Sequence, residues 1–243
     1  YVCRNRNILF DSECADAFLE VFSEENFVSM SQDRFEDELW KKIPRDKRDC
    51  DFETCKGIAD FFAGIVDYKS EFTGKHSLGV AKKAAELAEY MGYSQADIEK
   101  FYMAGALHDI GKMAIGNEIL EKPGRLTDEE FSRMKNHAGY TYMILSEVKD
   151  FDEVRDWAAL HHEKLDGTGY PFGKKAEELN EPERLMACVD IYQALTEARP
   201  YKSGMSHDKA CSILEDMVQK GWIDAAVTDK LRSCFEVGGR DMV

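Results

Sequence analysis

Six metal-capable positions in this chain fall at intervals of roughly one helix and its connection. His76, His108, His137 and the pair His161–His162 are separated by 32, 29 and 24 residues, and Asp190 follows His162 by 28. Each interval accommodates a helix with its loop. A bundle built this way could deliver one ligand per helix to a common centre, as di-metal carboxylate bundles do. A sheet protein would need these residues at a period of two on strands, and strand-like alternation is nearly absent.

The apolar pattern agrees. Cys55, Ile58, Ala59, Phe62 and Val66 lie at i, i+3, i+4, i+7 and i+11, one helical stripe. Ala81, Ala84, Ala85, Ala88 and Met91 repeat it, and Gly92 supplies a stop. Ser94 with Asp97 reads as an N-cap and its third-position acid, opening a helix with Ile98, Phe101, Tyr102 and Gly105 on one face. Thr127 with Glu130 does the same after the Pro123–Gly124 turn, ahead of Phe131 and Met134. The expected class is all-α, a helical bundle.

Residues 1–50 read as a separate N-terminal helical segment before a domain at 51–243. Ala15, Phe18, Leu19 and Phe22 make one short stripe, and Phe35, Leu39, Trp40 and Ile43 another, before the charged stretch PRDKRDCD with Pro44 breaks the pattern. The segment carries no histidine. It suits a docking or dimer-forming helical pair, or the end of an upstream sensor domain. Beginning at Tyr1, the chain is expected to be a piece of something longer.

Composition narrows the partners. No run of about 18 apolar residues is present, so no membrane segment is expected. The seven cysteines are odd in number and form no CxxC pair, which favours reduced, mostly packed thiols in a cytoplasm over a disulfide framework or a thiolate site. At a net charge of −15, extended DNA or RNA is not an expected partner. A small anion is compatible, because a few cations or metal ions reverse the field inside a cleft.

The stretch ALHDIGK, residues 106–112, concentrates the chemistry. His108 and Asp109 stand about 100° apart on a helix, so both reach one centre only if it lies between their directions. A carboxylate there has two oxygens and can bridge two metals about 3.5–4 Å apart. Lys112, four residues from His108 and three from Asp109, joins the same side if the helix continues, as a phosphate clamp or leaving-group acid. Taken singly, each residue has an ordinary explanation: a hydrogen-bonded core histidine, a chance His-Asp pair, a solvated lysine. Five of six histidines at such intervals resist that explanation. The sixth, His207 in SGMSHDK, lacks the interval and reads as a surface residue in a polar turn.

HDIGK at 108–112 together with HHEKLDGTGYP at 161–171 resembles the paired signature of the HD-GYP family, a branch of the HD phosphohydrolases. The resemblance also takes in FTGKHS around His76, ILEKPGRLTDEEFSRMKNH leading to His137, and DIYQALTEARPYK from Asp190, and covers roughly residues 55 to 235. It implies a helical bundle that hydrolyses cyclic di-GMP to linear pGpG, or on to GMP, by a hydroxide activated between two divalent metals, iron or manganese. By motif, the first metal takes His76, His108, Asp109 and Asp190. The second shares Asp109 and adds His137, His161 and His162. Lys112 matches the lysine next to the scissile phosphate, and Arg199 and Lys202 match positions that contact the nucleotide. Some members hold a third metal through a glutamate four residues before the first histidine. Here that position is Phe72, which points to two metals. Gly79 stands where many members have an arginine, so one phosphate or guanine contact differs.

Several alternatives stay open at this level. Tyr170 either stacks on a guanine or braces a turn whose glycines supply positive φ. Glu163 and Asp166 either orient the histidine rings or cap the turn. Cys188, two residues before Asp190, is expected in the core. The substrate could be another cyclic dinucleotide such as cyclic GMP-AMP, or the domain could be a low-activity module that binds cyclic di-GMP for signalling.

Overall fold

A computed structural model describes residues 4, 6–8, 10–21, 50–69, 76–198 and 203–238. The chain divides into two units, Tyr1–Asp49 and Cys50–Val243. In the first, helix α1 (Ser12–Val21) opens where the Asp11 carboxylate accepts the amides of Glu13 and Cys14 at 2.9 and 3.3 Å. Ala15 on its stripe is buried, whereas Phe18 and Leu19 are exposed. Phe22 and the second expected stripe lie outside the described residues.

The second unit is helical throughout, and no strand occurs among the described residues. Its long elements are α2 (Phe52–Lys69), α3 (His76–Tyr90), α4 (Gln95–Leu107), α6 (Asp128–Ser146), α7 (Asp152–Ala159), α8 (Glu181–Thr196), α9 (His207–Gln219) and α10 (Ala225–Gly238), with a short α5 (Asn117–Leu120). Two 3-10 turns, Ile110–Ala114 and Ala176–Glu178, complete it. No described helix is long and apolar enough to cross a membrane.

Local sequence explains the ends. The α3 helix closes in a Schellman motif: Gly92 adopts φ +82°, its amide donates to Glu89, and the Tyr93 amide donates to Ala88 at 3.0 Å. Ser94 then caps α4, accepting from the Asp97 amide at 3.2 Å. Thr127 and Glu130 form a reciprocal capping box on α6, at 3.2 and 2.7 Å. Asn180 and Glu183 do the same for α8.

The core forms where α3 and α4 lie against each other. Ala81, Ala84 and Ala88 are fully buried, and a Cβ on Gly105 would stand 2.5 Å from the Ala81 Cα, so only small residues allow this approach. Phe101 stacks on Trp157 of α7 with ring centroids 4.4 Å apart, and Leu185, Met186 and Val189 of α8 close the other side. Cys188 sits in this core with its thiol 3.9 Å from the Thr228 hydroxyl. The α2 stripe behaves unevenly: Ala59 and Val66 are buried, but Ile58 is 52% exposed. Of the six described cysteines, three are buried, one is half-buried and Cys14 and Cys50 are exposed.

Candidate metal centre

Five elements bring the expected residues together. His76 is the first residue of α3, His108 and Asp109 follow the end of α4, His137 sits within α6, His161 and His162 follow the end of α7, and Asp190 lies within α8. Ligand atoms of His76, His108 and Asp190 lie within 4.8 Å of one another. The same holds for His137, His161 and His162, and for His108, Asp109 and His161. A cavity of about 160 Å³ is lined by all of them except His137, together with Lys112 and Ala194.

Asp109 stands between two groups. Its Oδ1 is 3.4 Å from His137 Nε2, and its Oδ2 is 3.2 Å from His108 Nε2. His76 Nε2 lies 3.2 Å from Asp190 Oδ1, which is also 3.7 Å from His108 Nε2. Lys112 donates to Asp109 Oδ2 at 2.6 Å.

How Lys112 gets there differs from the expectation of a continuing helix. The α-helix stops at Leu107, Asp109 adopts φ −100°, ψ 6°, and the chain winds on as a 3-10 turn from Ile110. At three residues per turn, Lys112 lies over Asp109, not over His108. The switch is held from α6: the Thr141 hydroxyl donates to the His108 carbonyl at 2.9 Å and accepts the Gly111 amide at 3.0 Å. The break also resolves the 100° problem, since His108 and Asp109 no longer sit on one regular helix.

The imidazoles are oriented by their Nδ1 atoms. His108 donates to Gly105 O at 2.7 Å, His137 to Met134 O at 2.8 Å and His161 to Ala158 O at 2.6 Å. A carbonyl only accepts, so each neutral ring carries its proton on Nδ1 and presents a bare lone pair at Nε2. The Nε2 atoms of His137 and His161 are buried without a hydrogen-bond partner. The 3.4 Å approach of His137 to Asp109 is an electrostatic contact lacking hydrogen-bond geometry. Two orphaned, inward-facing lone pairs beside two carboxylates fit a divalent cation, which accepts such pairs. Imidazole and carboxylate without thiolate suits iron, manganese, zinc or nickel.

Charge is distributed unevenly. Burial pushes His161 well down, aided by the positive field of His162 and His108, and it takes His162 to about 4 and lowers His137. His76 is buried too, but hydrogen bonds to Asp190 and Glu197 raise it to about 10. His108 is raised by Asp109 against the cost of burial. Both aspartates stay ionised despite burial, Asp109 through Lys112 and His108, Asp190 through His76 and His108. One side of the cluster is therefore rich in carboxylate and the other in neutral imidazole.

The GYP loop is built on the residue after the histidine pair. Glu163 is buried and accepts three backbone amides, Phe172 at 2.7 Å and Gly173 at 3.1 Å on Oε1, and Lys174 at 3.0 Å on Oε2. Asp166 accepts the Thr168 amide and hydroxyl at 2.9 and 2.7 Å. Both acids shape the turn, and among the described residues neither is hydrogen-bonded to an imidazole. Gly167 has φ +79°, as expected of a turn glycine, but Gly169 is needed for a different reason: a Cβ there would stand 2.4 Å from the Lys164 amide. The Tyr170 ring packs on His162 with centroids 4.7 Å apart, and its amide donates to the His162 carbonyl.

Three supporting residues escaped the sequence reading. Glu197 Oε2 meets His76 Nδ1 at 3.0 Å; it is the residue just past the end of α8, seven positions after Asp190. Asp67 of α2 accepts the Ser77 amide and hydroxyl at 3.1 and 2.6 Å, fixing the start of α3 and thus His76. Thr141 is the third. His207 is not a surface turn residue: it begins α9, is half-buried, and pairs with the Tyr192 hydroxyl at 2.9 Å. Phe72, Arg199 and Lys202 lie outside the described residues.

A helical bundle thus gathers five histidines and two aspartates at helix ends and faces, a donor set that could hold metal ions. Residues 60–227 match the HD domain family, and the chain belongs to that family, in its HD-GYP branch. It is 38% identical over 177 residues to the 3'3'-cGAMP-specific phosphodiesterase 1 of Vibrio cholerae serotype O1, covering 73% of this chain and 41% of that protein. It is 40% identical over 167 residues to a cyclic di-GMP phosphodiesterase of the same organism, covering 63% of this chain and 34% of that protein. The chain thus spans about two fifths or less of these relatives' length. Among solved structures, the cyclic GMP-AMP-specific phosphodiesterase V-cGAP3 of V. cholerae superposes with a TM-score of 0.54 at 27% identity, over 97% of this chain and 54% of that one. The PgpH HD domain of L. monocytogenes shares the fold at a TM-score of 0.57 and 16% identity, over 76% of this chain and 98% of that one.

Proposed function

We propose that this chain carries a metal-dependent phosphodiesterase site that opens a cyclic dinucleotide to its linear form. The carrying observation is the pair of buried, unpartnered Nε2 atoms of His137 and His161 facing a carboxylate that is itself clamped by Lys112. The relatives named for cyclic di-GMP and for 3'3'-cGAMP support the substrate class, and they support the two substrates equally.

His76, His108, Asp109 and Asp190 would hold one divalent metal, and Asp109, His137, His161 and His162 the other, with iron or manganese as the proposed ions. When bound, the metals supply activation of the attacking water and neutralisation of phosphate charge. Water attacks phosphorus in line, the bond to the 3′ oxygen breaks, and that oxygen takes up the proton. Lys112 donates to the phosphate oxygen that gains charge. Its ammonium is held for this by Asp109 Oδ2, so no reorganisation is needed as charge develops. The carbonyl-anchored imidazoles keep their lone pairs turned inward throughout. For cyclic di-GMP the first product is pGpG. Tyr170, packed on His162, forms the wall against which a ribose or base rests, and Arg199 and Lys202 are further proposed contacts.

The test is metal content and hydrolysis of both cyclic dinucleotides by the parent and Asp109→Ala, reconstituted anaerobically with iron or manganese. Loss of metal and of linear product in the variant supports the proposal. A metal-loaded parent that turns over neither substrate sinks it in favour of a binding module.

A further inference from the structure

Beside the metal cluster, α3 and α8 enclose a second cleft of about 690 Å³, lined by Leu78, Gly79, Lys82, Lys83, Gln193 and Glu197. Glu197 links the two places: its carboxylate meets His76, and the residue is part of the cleft lining. Gln193 is only 6% exposed, and its Oε1 is buried without a hydrogen-bond partner. Buried amide oxygens are ordinarily hydrogen-bonded, so this carboxamide is a place where a ligand could supply the missing donor. Gly79 makes room for it, since a Cβ at that position would stand 2.2 Å from Gln193 Nε2.

Register ties the cleft to the metal cluster. Gln193 follows Asp190 by three residues and Gly79 follows His76 by three. Both therefore lie about one helical turn, roughly 5 Å, along from a cluster residue. That step is comparable to the ribose separating a phosphate from its base. A carboxamide offers a donor and an acceptor side by side, which matches N7 and the N6 amino group of adenine, and equally O6 and N1–H of guanine. Lys82 and Lys83 place two cations at the cleft in a chain of net charge −15.

Resting on the cyclic dinucleotide reading above, we propose that the α3–α8 cleft is a purine subsite in which the Gln193 carboxamide reads the edge of one base. Gly79 keeps the slot open. The carboxamide can present either of its two ends, so the subsite accepts guanine or adenine and contributes to the breadth of purine substrates taken.

The experiment compares kcat/KM for cyclic di-GMP and 3'3'-cGAMP with that for bis(p-nitrophenyl) phosphate, a diester without a purine, in reconstituted protein. In Gln193→Leu the ratio of cyclic dinucleotide to nitrophenyl diester activity falls at least about tenfold, carried by KM. Gln193→Glu presents two acceptors, which guanine meets with two adjacent donors, N1–H and its N2 amino group, and adenine with its N6 amino group alone, so it shifts preference about fivefold toward cyclic di-GMP, a change that a purely structural residue would not produce. Gly79→Ala leaves the amide chemistry intact but drives it from the slot; it gives the same loss as Gln193→Leu and decides the case if that variant does not fold. Ratios within twofold of the parent overturn the subsite. A parent that cleaves the nitrophenyl diester but no cyclic dinucleotide refutes the substrate reading instead. Calorimetric binding of GMP and AMP then decides the subsite: weaker binding to Gln193→Leu than to the parent upholds it, and equal or absent binding overturns it.

Discussion

Replacing Glu163 by glutamine separates the two roles open to the acid next to the histidine pair. Its Oε1 receives the amides of Phe172 and Gly173 and its Oε2 that of Lys174, at 2.7, 3.1 and 3.0 Å, in a position 4% exposed. Glutamine retains one acceptor oxygen for the first two amides but turns an NH₂ toward the third, setting donor against donor. A hydrogen bond to a charged acceptor contributes about 1.5–3 kcal/mol, so Glu163→Gln should cost about 2 kcal/mol, and Glu163→Ala, which strips all three amides, about 4 kcal/mol or more. With a urea m-value of about 2–3 kcal/mol/M for a domain of this size, the glutamine variant's midpoint falls by roughly 0.7–1 M at unchanged m. The measurement is equilibrium urea unfolding of the metal-free protein, with metal affinity titrated alongside. A midpoint within about 0.2 M of the parent, or a loss of metal affinity without loss of stability, would refute the loop-holding role and return Glu163 to orienting a histidine.

Three further outcomes can be checked independently. Gly111→Ala places a Cβ 2.0 Å from the His137 carbonyl and 2.5 Å from the Thr141 amide, both backbone atoms that cannot step aside; a cost of about 2 kcal/mol lowers the midpoint of thermal unfolding by roughly 4–8 °C, and an unchanged midpoint contradicts the close packing of α6. Lys112→Gln removes the ammonium while leaving all seven proposed ligands, so metal content measured by mass spectrometry is retained while kcat falls about a hundredfold or more; equal kcat would remove Lys112 from the reaction. In metal-free protein His162 has a folded pKa of about 4, below its unfolded value, so its contribution is present above about pH 6.5 and is lost as pH falls toward 4. That amounts to about 2 kcal/mol between pH 7 and 5. His76, raised to about 10, contributes in the opposite sense: its share is present below about pH 6.5 and is lost as pH rises through 10. Urea midpoints should therefore peak near neutrality, and a flat profile from pH 7 to 5 rejects this charge distribution.

What could be read from sequence divides along the range of the interactions. The Schellman end at Gly92 and the caps at Ser94 and Thr127 are closed by residues within six positions, so pattern alone locates them. The spacing of the histidines is legible for a related reason, because each interval is one helix and its loop. The 3-10 switch at Ile110 is not legible, since the hydroxyl that stabilises it belongs to Thr141, 30 residues from Gly111. The pinning of Ser77 by Asp67 crosses between two helices and leaves no mark in either segment. Gly169 is informative in another way. Its neighbours suggested positive φ, whereas its need is the 2.4 Å that a Cβ would leave to the Lys164 amide. Chain contacts of this kind belong to the folded loop and not to its composition.

The same local geometry that ends two helices also arms two of the candidate ligands. The last four carbonyls of a helix lack intrahelical donors. Gly105 O lies in the closing turn of α4 and Ala158 O in that of α7, and the ring N–H groups of His108 and His161 donate to them at 2.7 and 2.6 Å. One hydrogen bond thus satisfies an orphaned carbonyl, fixes the tautomer and turns Nε2 toward the other ligands. His137 reaches the same result within α6, sharing the second lone pair of Met134 O. The consequence is a coupling between fold and site: neither ring can turn away to relieve its buried Nε2 without also exposing the end of its helix. That coupling helps an acidic chain keep these histidines packed together. Backbone carbonyls set the proton positions of His108, His137 and His161, the carboxylates of Glu197 and Asp190 hold His76, and the field at the centre is set by Asp109 and Asp190, independently of the net charge at the surface.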